Sequence, residues 1–265
     1  KEFFDKLNQN GAIVQDERIG LYIRNLGSEI LAHSQPAPFD FTFSVIDSSA
    51  VNAFATPGGY IYVNRGLVNL VKTESELAGV LAHEIAHVNR RHIAELIARS
   101  KKISIATLAA ILASAFLGGG GELSAAAIGF SMATATHLNL KYSREHEEEA
   151  DRLGMAYLAG AGYNPRSMLD FLKSMRRYEF YSSNTPSYFL THPGTDERIR
   201  YLDGLLLTTY RHEGLEDRHG QIKRVKSALA ARGRISDSLI RQYREDVQEH
   251  PGDVDALFGL ALLLD

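Results

Sequence analysis

His83 and His87, with Glu84 beside the first, stand in the order His-Glu-x-x-His. On a helix of 3.6 residues per turn, positions four apart lie on one face, one turn above each other. Two imidazoles so placed can share one tetrahedral metal ion, and the glutamate can reach an attacking water. The residue types therefore suit hydrolysis, with histidines to hold the ion and a carboxylate to take the proton. The same spacing can fall by chance on an amphipathic helix, so the rest of the chain has to supply a further ligand.

The elements around this motif follow from local pattern. Thr73-Glu-Ser-Glu76 reads as a capping box, which starts the helix carrying His83 and His87 and predicts that it runs to about residue 99. His92, five beyond His87, is out of register for the third ligand of the His-x-x-Gly-x-x-His class. That ligand would stand at Ile93, so His92 reads as a surface residue. Upstream, apolar residues recur at helix-like intervals over 13–32, and Gln35-Pro-Ala-Pro38 ends that run. Segment 39–46 alternates Phe41, Phe43 and Val45 with Thr42 and Ser44, the period of a half-buried strand. Segments 51–55 and 60–66 flank the turn Thr56-Pro-Gly-Gly59 and predict a hairpin leading towards the metal helix. These strands form either an ordinary sheet or one with an exposed edge, along which an extended peptide could pair by backbone hydrogen bonds.

Downstream, 142–157 has a helical pattern with Ala150, Leu153, Gly154 and Tyr157 on one face. Glu147 lies beside that face and Asp151 follows one turn later, whereas Glu145, Glu148 and Glu149 point away, as solvated carboxylates do. An acid turned to the core needs a partner, which a metal ion would supply, with Asp151 orienting a ligand histidine. Taken alone, this segment favours an acidic, salt-bridged helix face over a ligand, and His146 is a lesser ligand candidate. His192 precedes Pro193 and so lies in an extended or turn segment before a helix starting at about Thr195. It is either a surface residue or one that reaches the site. Between these segments, 103–117 and 123–138 are apolar, small-residue runs joined by Gly118-Gly-Gly-Gly121, with no Lys-Ser/Thr of a phosphate loop. They read as two helices buried against the protein, with an interfacial membrane contact or a lid over the cleft as alternatives.

The chain has 265 residues, 45% of them hydrophobic, enough for a sizeable buried core. Its net charge of -3 provides no basic field for nucleic acid. Without cysteine there is no disulfide, no thiolate-bound zinc and no thiol nucleophile. No run reaches the roughly 20 apolar residues of a membrane span. The first residue is Lys1 rather than Met, which fits a removed leader. Composition shifts at a charged stretch, 211–223, read as a linker between a domain over 1–210 and a helical segment over 224–265. His250-Pro-Gly-Asp-Val-Asp-Ala-Leu-Phe-Gly-Leu-Ala resembles the opening helix of a tetratricopeptide repeat. Such a helix cannot bury its own apolar face, which predicts further chain or a protein partner against it.

Four segments, in order, resemble the zinc metallopeptidase family that includes the CAAX prenyl proteases, HtpX and the soluble periplasmic BepA-like proteases. They are Asn52-Ala-Phe-Ala-Thr-Pro-Gly-Gly, His83-Glu-x-x-His87, Glu147-x-x-Ala-Asp151 and His192-Pro-x-x-x-x-Arg198. The resemblance covers about 10–210. It implies an α+β, mainly helical, gluzincin-type domain with a small β-sheet and one zinc ion on His83, His87 and Glu147. Glu84 is then the catalytic base, and Asp151 and Arg198 are a supporting pair. His192 either assists the reacting carbonyl or occupies the metal's open position in a resting form. The family's membrane-embedded members carry spanning helices that this chain lacks, which points to the exported branch in a bacterial periplasm or cell envelope. The implied substrates are misfolded or unassembled polypeptides. Two rivals are a zinc-containing chaperone with a plugged site and a membrane-bound prenyl-protein protease.

Overall fold

A computed structural model describes residues 1–99, 142–181, 187–233 and 237–264. The two runs predicted over 103–117 and 123–138, with the membrane contact or lid ascribed to 103–138, lie outside the described residues.

The chain opens with α1 (Glu2–Gln9), followed by α2 (Glu17–Ala32). Asp16 caps α2, its carboxylate accepting from the amides of Arg18 and Ile19. The helix predicted from residue 13 therefore starts later. Ile13 instead bridges to Ile46, and Leu21 faces solvent. Three short strands follow, β1 (Thr42–Ile46), β2 (Ala53–Thr56) and β3 (Tyr60–Asn64), in the order β1-β3-β2. β2 and β3 form the expected antiparallel hairpin, while β1 runs parallel to β3. The turn between β2 and β3 requires glycine. Gly59 has φ 83°, and a Cβ there would stand 2.5 Å from the Asp40 carbonyl oxygen.

The sheet is buried on both faces, which corrects the half-buried strand expected for β1. Phe43, Val45, Ala53, Ala55, Ile61 and Val63 pack into the main core with α2. On the other face Ile46, Phe54 and Tyr62 meet Leu7, Phe3 and Phe4 of α1, so Phe43 and Ile46 are both inside.

After the one-and-a-half turns of α3 (Arg65–Leu70) comes the central helix, α4 (Glu74–Asn89). Thr73 is its N-cap, accepting from the Glu76 amide at 3.2 Å, and the Glu76 carboxylate reaches back to the Lys72 amide at 2.7 Å. Every residue of α4 from Glu74 to Val88 is buried, because the sheet, α2 and later helices enclose it. The helix does not continue to residue 99. The chain breaks at Arg90–Arg91, where Arg91 has φ 58°, and restarts as α5 (His92–Arg99).

Next come α6 (Arg144–Gly160), α7 (Arg166–Tyr181), the short α8 (Ser187–Thr191) and α9 (Thr195–Thr208). Ser143 caps α6 through the His146 amide. α6 lies against α4 at very close range. A Cβ on Gly154 would stand 3.1 Å from the His83 amide nitrogen and 3.2 Å from Ala82 C, so the small residue sets the spacing. Residues 211–221 carry no helix, and three more helices end the chain: α10 (Ile222–Ala231), α11 (Asp237–Glu249) and α12 (Val254–Leu264). α12 packs on both α10 and α11. The described residues are thus mainly helical around one small three-stranded sheet, the α+β class expected.

Candidate active site

Four buried side chains from three places in the chain converge between α4 and α6. α4 supplies His83 and His87, α6 supplies Glu147, and the turn after α8 supplies His192. One ligating atom of each lies within 4.8 Å of all the others. His83 Nε2 is 2.9 Å from His87 Nε2 and 3.3 Å from His192 Nδ1. The Glu147 carboxylate lies 3.5 Å from His83 Nε2, 3.4 Å from His87 Nε2 and 3.1 Å from His192 Nδ1. All four residues are at most 1% exposed.

Local structure explains how each side chain arrives there. The i, i+4 spacing stacks His83 over His87 on one face of α4, and the close approach at Gly154 brings Glu147, two turns earlier in α6, opposite them. The His192 amide closes α8 by donating to the Tyr188 carbonyl at 2.9 Å, and Pro193-Gly194 then turns the chain into α9. Two tyrosines pack the rings in place. Tyr142 stacks on His87 with centroids 3.9 Å apart, and Tyr188 stacks on His192 at 4.4 Å. Neither tyrosine is marked by sequence spacing.

Asp151 and Arg198 stand directly behind this group. The Asp151 Oδ1 atom is 2.9 Å from His83 Nδ1, which turns the Nε2 lone pair of His83 towards Glu147 and His87. Arg198, in the first turn of α9, donates through Nε and Nη2 to both oxygens of Asp151, at 2.8 and 2.7 Å. Its Nη1 lies 2.8 Å from Glu147 Oε2. Glu84 points to the same space, and His192 Nε2 is 3.4 Å from its Oε1. Neither Glu84 oxygen has a hydrogen-bond donor among the described residues.

The two glutamates are driven apart electrostatically. Burial pushes the Glu147 carboxyl up, but His192 and Arg198 outweigh it and hold the group well below the usual carboxylate range. For Glu84 burial wins, and its carboxyl is raised, making it the better proton acceptor. Burial and Arg198 lower His83, yet Asp151 and Glu147 overcome them and push its imidazole up to about 9. Burial and its neighbour His83 hold His87 well below its ordinary value. The carboxylates Glu84, Glu147 and Asp151 around one guanidinium thus favour added positive charge. Imidazole nitrogens and a carboxylate converging out of contact with water are the donor set of a zinc ion, which would replace the proton the carboxylates hold on His83, and the residues fit one.

The sequence profile of Peptidase family M48 matches residues 20–206. The chain belongs to peptidase family M48. A putative beta-barrel assembly-enhancing protease of Vibrio cholerae is 39% identical over 194 residues, 73% of this chain and 40% of that protein. The beta-barrel assembly-enhancing protease of Escherichia coli K12 is 30% identical over 195 residues, with the same coverage. The mitochondrial metalloendopeptidase OMA1 of Schizosaccharomyces pombe is 33% identical over 183 residues, 69% of this chain and 52% of that one. The chain thus spans about two fifths of the length of the beta-barrel assembly-enhancing proteases it matches. Family M48 uses zinc, and the group His83, His87, Glu147 and His192 could hold one such ion.

The structure brings every candidate, His83, Glu84, His87, Glu147, Asp151, His192 and Arg198, into one cluster. His146, the lesser ligand candidate, turns instead to Glu95, with Nε2 at 3.3 Å. Two expectations are corrected. His92 is 1% exposed rather than a surface residue, because the break at Arg91 folds it back against His87. Glu149 is half-buried between His92 Nε2 (3.0 Å) and Arg90 Nε (2.8 Å) rather than turned to solvent.

Proposed function

We propose that the chain is the catalytic part of a zinc-dependent endopeptidase acting on misfolded or unassembled envelope proteins. The observation that carries this reading is the buried convergence of His83, His87 and Glu147 beside Glu84, whose carboxylate has no hydrogen-bond donor among the described residues. Zinc held by the three ligands would acidify a water and polarise the scissile carbonyl. Glu84 takes the proton as the water attacks, then delivers it to the leaving amine. Asp151 holds His83 in the tautomer that offers Nε2, and Arg198 ties Asp151 to Glu147 so that both carboxylates keep their places. The hairpin strand β2 is the sheet's edge nearest α4, but all four of its residues are buried rather than exposed as a pairing edge requires, so an extended polypeptide pairing with its backbone would have to displace what covers it. Glu84→Gln is expected to retain one zinc per chain and lose at least about a hundredfold in cleavage of an unfolded protein. Cleavage at the wild-type rate would refute the mechanism.

A second reading has its own support. His192 Nδ1 sits among the ligand atoms as a fourth donor, the arrangement of a plugged site in a zinc-containing chaperone. Metal-replete wild type that binds unfolded protein without cutting it would favour this reading.

The proposed setting is a bacterial periplasm or envelope. The likeness to beta-barrel assembly-enhancing proteases supports it, and the likeness to mitochondrial metalloendopeptidases leaves cell fractionation to decide. No described helix is long and apolar enough to cross a membrane. If the protein needs detergent to stay in solution, the prenyl-protein protease reading gains. We divide the chain into a peptidase domain over 1–210, a linker over 211–223 and a tetratricopeptide-like helical segment over 224–265. Exposed Val254, Leu257 and Leu264 on α12 support a protein partner for that last segment.

A further inference from the structure

Asp151 accounts for the orientation of His83, and Tyr142 packs flat on His87, but no polar group assigned so far fixes which nitrogen of His87 carries its hydrogen. The ring of His87 has two nitrogens, and Nε2 is the one that faces His83 and Glu147. Its Nδ1 points the other way, 3.0 Å from Nδ1 of His92. His92 in turn places Nε2 3.0 Å from Glu149 Oε2, and the other oxygen of Glu149 lies 2.8 Å from Arg90 Nε. One end of this series is fixed chemically. Arg90 can only donate and an ionised Glu149 can only accept, so the hydrogen of His92 sits on Nε2. His92 Nδ1 is then a bare lone pair, and the hydrogen in the 3.0 Å contact has to come from His87 Nδ1. That assignment leaves the lone pair of His87 on Nε2, facing the other ligand atoms.

We propose that His92 is the positioning residue of His87: it accepts the His87 Nδ1–H and so fixes the tautomer and ring angle that present Nε2 to the metal. The inference rests on His83, His87 and Glu147 being the zinc ligands. His92 does for the second histidine what Asp151 does for the first, but as a neutral acceptor it adds no charge beside the site. Its own ring is held from two sides. It stacks on His146 with centroids 4.2 Å apart and planes at 17°, and meets His87 edge-on at 5.0 Å. The fold reaches this arrangement through the chain break at Arg91. On an uninterrupted helix, residue 92 would stand about 140° around the axis from residue 87. With Arg91 at φ 58°, the helix is interrupted and His92 comes to the flank of His87.

The test is zinc affinity, measured on the metal-free full chain by competition with a fluorescent zinc chelator. His92→Phe keeps a flat ring for the stack and removes the acceptor. His92→Asn puts an oxygen near the place of Nδ1 and keeps it. The expected result is a loss of affinity of about 10- to 100-fold for His92→Phe, with most of it restored in His92→Asn. If His92→Phe fails to fold, His92→Gln takes its place against His92→Asn, because glutamine puts its oxygen near the position of Nε2, away from His87. Wild-type affinity in the variant without the acceptor overturns the inference, as does an equal loss in both variants, which marks a packing effect alone. Wild type that takes up no zinc overturns the metal site itself, and the inference with it. Wild type that binds zinc while His83→Ala does not, beside an unaffected His92→Phe, leaves the site standing and removes only the role of His92.

Discussion

His192 is the residue whose geometry bears most directly on activity. The His192 imidazole stands among the side chains proposed as ligands, 3.1 Å from Glu147 and 3.3 Å from His83, where it would compete with a substrate carbonyl for the proposed metal. The ring is not loosely placed. It is 1% exposed, stacked on Tyr188, and anchored through its amide to α8. A group held this firmly among the ligand atoms competes with substrate, whereas a group serving the reacting carbonyl would be expected beside them. His192→Ala should therefore raise the rate at which an unfolded protein is cut, several-fold, with zinc content unchanged by metal analysis. A fall of roughly a hundredfold, the usual cost of deleting an oxyanion donor, would instead assign it to the carbonyl.

At the scale of elements, the site depends on α4 and α6 lying almost in backbone contact. Gly154 permits this, since a side chain there meets Ala82 and His83 main chain rather than a movable group. Gly154→Val should push α6 away, costing about 1–3 kcal/mol in urea unfolding and weakening zinc binding together, because Glu147 rides on the same helix. Stability lost without loss of zinc affinity would separate the two effects and disprove the coupling. This helix pair was largely legible beforehand: the capping box at Thr73, the i, i+4 histidines and the apolar face holding Gly154 are local patterns that tertiary structure leaves intact. The chain break at Arg90–Arg91 was not. Asn89 stands beside it, but the left-handed position falls on Arg91, and an arginine at φ 58° costs about 1–2 kcal/mol that only tertiary contacts offset. Helical geometry extrapolated past residue 90 points His92 to the wrong surroundings, and the face pattern of α6 turns Glu149 to solvent because it cannot show that the break brings Arg90 and His92 to it. The second covered face of the sheet was hidden for a similar reason, because it depends on where the eight-residue α1 docks and not on any period within β1.

At the scale of the whole molecule, the family match ends at residue 206, yet the start of α4 is held from beyond it. Glu74, the first residue of α4, is fully buried and accepts from the amides of Arg218 and His219 at 3.0 and 3.1 Å and from His219 Nδ1 at 2.9 Å. The hydroxyls of Tyr22 and Tyr163 also donate to it, at 3.0 and 2.9 Å, so α2, the loop after α6 and residues 218–219 meet at one carboxylate. The Ser75 amide adds a bond to the Glu216 carbonyl at 2.9 Å. Burial pushes the Glu74 carboxyl up, but the His219, Arg218 and Tyr163 donors outweigh it and hold it below its ordinary value. The sign of the linkage follows. A carboxyl whose folded value is depressed stabilises the protein above its unfolded value, about 4.3, and loses that contribution as pH falls through the folded value. Glu74→Gln should cost about 2–4 kcal/mol at pH 7, because glutamine presents one acceptor oxygen and turns an amide towards donors. The gap between variant and wild type should hold from pH 7 to about pH 5 and narrow as urea unfolding is carried below about pH 4.3, since wild type alone loses this carboxylate. A gap that stays constant with pH would mean that the charge of Glu74 contributes nothing. In that case the 216–219 segment would hold the active-site helix by shape alone.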